Sequence, residues 1–147
     1  MKRFLKIKHI VSMMVLMVAV LAPTSCTKNN GNIGNLFGMW QIQSIEVNGQ
    51  DATPTTETLY LAFQSNSLLL RGANDTHQTN EVFGVFVHEG DKIQLNFNIS
   101  GWVPPVSSHL TQGVNDGTIQ TLTGKDFVFT VVNNNSETVR FVCKKWN

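Results

Sequence analysis

His77, His88 and His109, together with Cys143 and a scatter of aspartates, are the side chains of this 147-residue sequence best suited to acid–base, nucleophilic or metal chemistry. Metal binding needs donors brought together, and neither H-x-x-x-H nor C-x-x-C occurs; each histidine falls in or beside a different expected strand or loop. They are read as surface histidines. Asp75, Asp91 and Asp116 each adjoin Asn or Gly, the company aspartate keeps in turns for backbone reasons. No G-x-S-x-G run and no phosphate-cradling glycine loop is present. Cys143 alternates with Val139 and Phe141, which makes it a small buried hydrophobe rather than a nucleophile. The expectation is a protein that is not an enzyme and holds neither metal nor cofactor.

Cys26 offers covalent chemistry of another kind. Lys2, Arg3, Lys6 and Lys8 precede an apolar run from Ile10 to Ala22 broken only by Ser12, the layout of a signal peptide. The run is shorter than the roughly 20 residues a spanning helix needs, and Pro23 ends it. Cleavage after Ala22 by the general signal peptidase would meet Pro23 directly. Ser25-Cys26 instead resembles the site at which bacterial lipoproteins are cut and acylated. Pro23 replaces the usual leucine three residues before the cysteine, with Leu21 lying further back, as in the looser boxes of Bacteroidota lipoproteins. This resemblance implies a signal peptide over residues 1–25, a lipidated Cys26 with a flexible tether over residues 26–35, and a folded domain over residues 36–147. It implies a protein held in a bacterial cell envelope by lipid. The lack of an acidic run after Cys26 points to the periplasmic face of the outer membrane. With Cys26 acylated, Cys143 has no disulfide partner; the alternative is a Cys26 to Cys143 bridge.

Removing residues 1–25 takes away four bases and no acids, leaving 7 basic and 10 acidic residues and a charge near −3. No basic face remains to attract nucleic acid, and the lipid is the expected membrane contact.

The elements that must position any site are strands. Short runs rich in Val, Ile, Phe, Leu and Thr alternate in polarity and are separated by turn residues. The expected strands are Gly38 to Asn48, Thr58 to Gln64, Ser67 to Arg71, Glu81 to His88, Lys92 to Ser100, Thr118 to Leu122, Phe127 to Val131 and Val139 to Cys143. Glu89-Gly90-Asp91 should make a tight hairpin. Sequential strands joined by short turns predict an all-β antiparallel meander, closing into a barrel of about eight strands that leaves no bare edge. The expected inward set includes Leu59, Leu61, Phe63, Phe83, Val85, Val87, Leu95, Phe97, Phe127, Phe129 and Phe141.

Leu36-Phe37-Gly38-Met39-Trp40, at the first strand, is similar to the G-x-W opening of lipocalins and of small bacterial lipocalin-like lipoproteins. The resemblance implies that Gly38 and Trp40 close one end of the barrel and that Arg140, late in the last strand, lies across the indole as a cation–π partner. An eight-strand barrel is either filled by side chains or just wide enough for one small molecule. A ligand inside would meet Phe83, Phe86 or Phe97. The other candidate contact is Trp102, beside Pro104 and Pro105 in a long connection from Ser100 to Gly117. Either Trp102 folds down as a lid, or it is an exposed anchor for a partner. The expected function is an envelope binding or interaction module working through loops at the barrel mouth, with an envelope protein as partner; the alternative is a carrier of a small apolar ligand.

Overall fold

A computed structural model describes residues 31–97 and 104–146. A 3₁₀ turn (Gly31–Leu36) leads into nine strands: β1 (Gly38–Val47), β2 (Gln50–Asp51), β3 (Glu57–Gln64), β4 (Ser67–Asn74), β5 (Thr79–Glu89), β6 (Lys92–Asn96), β7 (Val114–Leu122), β8 (Asp126–Val132) and β9 (Thr138–Lys145). All pairs are antiparallel. β1 pairs with both β3 and β9, so eight strands form a closed barrel and β2 is a two-residue extension on the end of β1. Cys26 and Trp102 lie outside the described residues.

Each inward row follows the two-residue period of a strand. Leu59, Leu61 and Phe63 of β3 meet Leu68 and Leu70 of β4, Ile93, Leu95 and Phe97 continue β6, and Phe127, Phe129 and Val131 of β8 face Val139, Phe141 and Cys143 of β9. In β1 a bulge between Ile42 and Ser44 shifts the alternation, so that Trp40, Ile42 and Ile45 all point inward.

β5 corrects the expected inward set. Phe83, Val85 and Val87 are 58%, 49% and 53% exposed on the outer wall, and Val82 and Phe86 point inward. Both rows of β5 are apolar, so its own pattern does not choose a face. The neighbours choose: Val82 pairs with Leu70 and Phe86 with Leu95, whose alternation is unambiguous. Gly84 sits on the inward row because there is no room for more; a Cβ there would lie 2.5 Å from the Asn96 carbonyl oxygen and 3.0 Å from the Phe97 ring.

Two boundaries also differ. Gly31–Leu36, of which residues 31–35 fall in the segment expected to be flexible tether, is a 3₁₀ turn because Leu36 is fully buried and Ile33 packs on the core. β7 begins at Val114 rather than Thr118, so the β6–β7 connection ends four residues earlier than expected.

Candidate functional site at the barrel mouth

The interior is filled. The buried apolar side chains are each 7% exposed or less. Phe127 stacks on Phe129 at 4.5 Å, Phe129 stacks on Phe141 at 4.8 Å, and Phe63 meets Phe86 at 5.0 Å and Phe127 at 5.8 Å edge-on. These are the offset and edge-to-face contacts that aromatic rings prefer. Phe86 and Phe97, candidates for lining a ligand, are satisfied by this packing, and Phe83 lies outside it.

One end is sealed where the chain enters. Trp40 is fully buried, its indole N–H donates to the Leu36 carbonyl at 2.9 Å, and its ring meets Phe127 at 5.3 Å. The cation over the ring is Lys145, with Nζ 4.2 Å from the centroid, and not Arg140. Strand parity is the reason. Trp40 pairs with Lys145, whereas Arg140 pairs with Glu46 on the outer wall and bonds its carboxylate at 3.1 Å. Lys145 Nζ also donates to the carbonyls of Phe37 and Asn35; burial lowers its pKa from the ordinary lysine range. Gly38 serves this seal twice. Its φ of 109° excludes ordinary side chains, and a Cβ would lie 3.1 Å from the lysine Cε and Nζ.

The opposite end, the mouth, is roofed by the β6–β7 connection. Pro104 and Pro105 are buried, Val106–Ser108 form a 3₁₀ turn, and Leu110 drops into the core. Hydrogen bonds hold this roof. Fully buried Asn115 accepts from the Thr111 amide at 3.0 Å and hydroxyl at 3.1 Å, and donates to the Thr111 carbonyl at 2.9 Å. Asn133 donates to the His109 carbonyl at 2.9 Å, and Asn134 donates its backbone N–H to the Thr111 hydroxyl at 3.0 Å and its side-chain amide to the Gln112 carbonyl. Ser107 reaches across and donates to Glu57 at the start of β3, three strands further round from β6. Gly72 makes space for that carboxylate, since a Cβ there would overlap it. Beside this latch, Glu57, Asn74, Gln78, Thr79 and Asn80 line an open groove of about 550 Å³ whose named side chains are all polar.

Residues 18–141 match the sequence model of a family described as a lipocalin-like domain. The chain belongs to the lipocalin-like family. Among solved structures, a lipocalin-like protein from Bacteroides uniformis is 14% identical, with a TM-score of 0.58 over 77% of this chain and 100% of that one. An uncharacterized protein from Bacteroides eggerthii is 17% identical, with a TM-score of 0.51 over 76% of this chain and 99% of that one. At these identities the likeness is one of fold. Bovine odorant-binding protein in complex with a selenium-containing odorant is 15% identical, with a TM-score of 0.46 over 79% of this chain and 73% of that one. No curated protein matches the chain.

Lipocalin-like domains are typically binding proteins rather than enzymes. In this one, the titratable groups are dispersed. His77 occupies the β4–β5 turn with φ 62°, the His88 ring contacts the Gly90 carbonyl at 3.0 Å, and His109 ends the 3₁₀ turn of the roof. Among the described residues, no three His, Cys, Asp or Glu side chains gather as a metal site would require. Cys143 faces the barrel interior, where burial pushes its thiol far above the usual range and removes the thiolate a nucleophile needs. The mouth residues Glu57, Ser107, Asn115, Asn133 and Asn134 were not singled out by sequence. The available signal was Asn-Asp-Gly at 115–117 and three asparagines at 133–135, and both read as ordinary turn composition.

Proposed function

We propose that this lipocalin-like protein is a lipid-anchored envelope binding module whose contacts lie at the barrel mouth and not inside the barrel. The observation that carries the reading is the filled interior: stacked phenylalanines occupy the space a carried molecule would need, while the mouth presents a polar groove beside a hydrogen-bonded roof. Polar side chains along the groove suit a polar partner such as an extended peptide segment of an envelope protein, because donors and acceptors that face water can exchange it for bonds to the partner. The lipid anchor rests on Ser25-Cys26 after the apolar run.

The family supports a second reading, since lipocalin-like domains commonly bind small apolar ligands. One measurement separates the two. Native mass spectrometry of protein purified from its own envelope should show acyl mass on the peptide beginning at Cys26 and no retained apolar molecule. A retained apolar ligand that Phe97→Ala releases, with the barrel still folded, replaces the mouth reading by the carrier. An N-terminus without acyl mass removes the anchor.

A further inference from the structure

The two ends of the barrel carry different charge. Residues 31–147 include six cations and ten acids. Assigned to the nearer end of its strand or to its turn, every lysine among them falls at the sealed end: Lys92 opens β6, Lys125 lies in the β7–β8 turn, and Lys144 and Lys145 finish β9. Three acids accompany them, Glu89, Asp91 and Asp126. The mouth half holds the other seven acids and only two cations, Arg71 and Arg140, each paired to a glutamate. The sealed end is therefore near +1 and the mouth half near −5.

A large aromatic sits at the same end. Trp146, 51% exposed, follows β9, donates its backbone N–H to Met39 at 2.9 Å and packs edge-on against Tyr60 at 5.3 Å. Half-exposed tryptophan beside lysines is the composition that settles at a membrane–water boundary. The chain also enters here. Gly31 lies five residues after Cys26, a span of at most roughly 18 Å when extended.

From these coincident features we infer that the sealed end is a membrane-facing surface: the domain stands on an anionic lipid surface with Lys92, Lys125 and Trp146 at the headgroups and the acidic mouth directed away. The inference rests on the lipid-anchor reading and adds an orientation to it. A short tether alone would keep the chain entry near the lipid but still let the barrel lie on its side. Lysines near an anionic surface are attracted and carboxylates repelled within a Debye length, about 10 Å at 0.1 M salt, so charge segregated by end selects one pose.

The test uses the full acylated protein reconstituted in vesicles of phosphatidylglycerol and, separately, of phosphatidylcholine, read by amide hydrogen exchange. In phosphatidylglycerol, the turns at 90–91 and 123–125 should gain protection while those at 75–77 and 133–137 do not. The gain should disappear in phosphatidylcholine and in the Lys92→Gln, Lys125→Gln double variant. Both lysines are exposed, so exchange at core strands reports whether that variant remains folded. Equal exchange at both ends, or protection at the mouth, in protein shown by mass to be acylated overturns the orientation and leaves the anchor standing. Absence of acyl mass overturns both.

Discussion

At the sealed end, a fully buried tryptophan, a glycine with positive φ and a lysine laid over the ring meet in one packed unit. At the mouth, a roof of ten residues, 104–113, is held chiefly by asparagine side chains bonded to its backbone. The difference is one of energetic kind. Removing a packed ring leaves a cavity that the surroundings only partly fill, whereas a roof bond broken as the roof lifts is replaced by one to the water that enters. The sealed end should therefore resist local opening and the mouth should permit it, which suits a domain that engages partners at its mouth.

The largest expected effect lies at the seal. Trp40→Ala should cost about 3–5 kcal/mol in denaturant unfolding, the range for deleting a large buried aromatic. Asn115→Ala comes next, at about 1–3 kcal/mol, because it strands buried partners in the roof; exchange should quicken at Thr111 before it quickens in the barrel. A mouth substitution as costly as Trp40→Ala would erase the distinction between the ends. A double-mutant cycle sharpens it further: Trp40 and Lys145 should couple by about 1 kcal/mol, whereas Trp40 and Arg140 should be additive. Ser107→Ala should release the latch to Glu57 and speed amide exchange across residues 106–110 with global stability changed by less than about 0.5 kcal/mol.

The smallest effect concerns acid. The Lys144 ammonium bonded to Asp126 holds that carboxyl below its ordinary pKa. A lowered folded-state value adds stability above the ordinary carboxylate range, and that stability fades as pH falls through it. Asp126→Asn should lower the neutral plateau of a stability–pH curve slightly, converge with the parent in acid so that the acid limb flattens, and lose this difference at high salt.

The comparison also explains what the sequence made legible. Strands with one apolar row declared both type and facing, as in Leu59-Leu61-Phe63 and Ile93-Leu95-Phe97. The same rule already contained the identity of the sealing cation: Val139, Phe141 and Cys143 point inward, so Lys145 continues that row and Arg140 cannot. The expectation of Arg140 came from family resemblance, and strand parity overrides it. β5 was illegible by itself because Val82 and Phe86 compete with Phe83, Val85 and Val87, and only the paired neighbours decide. The mouth was hidden for another reason. Asn133 has turn chemistry locally, yet its side chain also holds a carbonyl 24 residues away, a contact no local pattern announces. Asn115-Asp116-Gly117 carries a turn signature, and pairing on both sides by β6 and β8 draws it into a strand.

The pairing of β1 with β9 carries a kinetic consequence. It joins residues such as Glu46 and Arg140, 94 positions apart, whereas the β5–β6 hairpin turns through Gly90 and Asp91. Closing a long loop delays the reward of its contacts, so hairpins should gain protection early and the seam between first and last strands late. Pulse-labelled exchange during refolding would reveal that order, with β5–β6 amides protected ahead of those in β1. Before β9 docks, two bare strand edges are open to pairing with other chains. Since Lys145 travels on β9, one late event both joins the circle and caps its end.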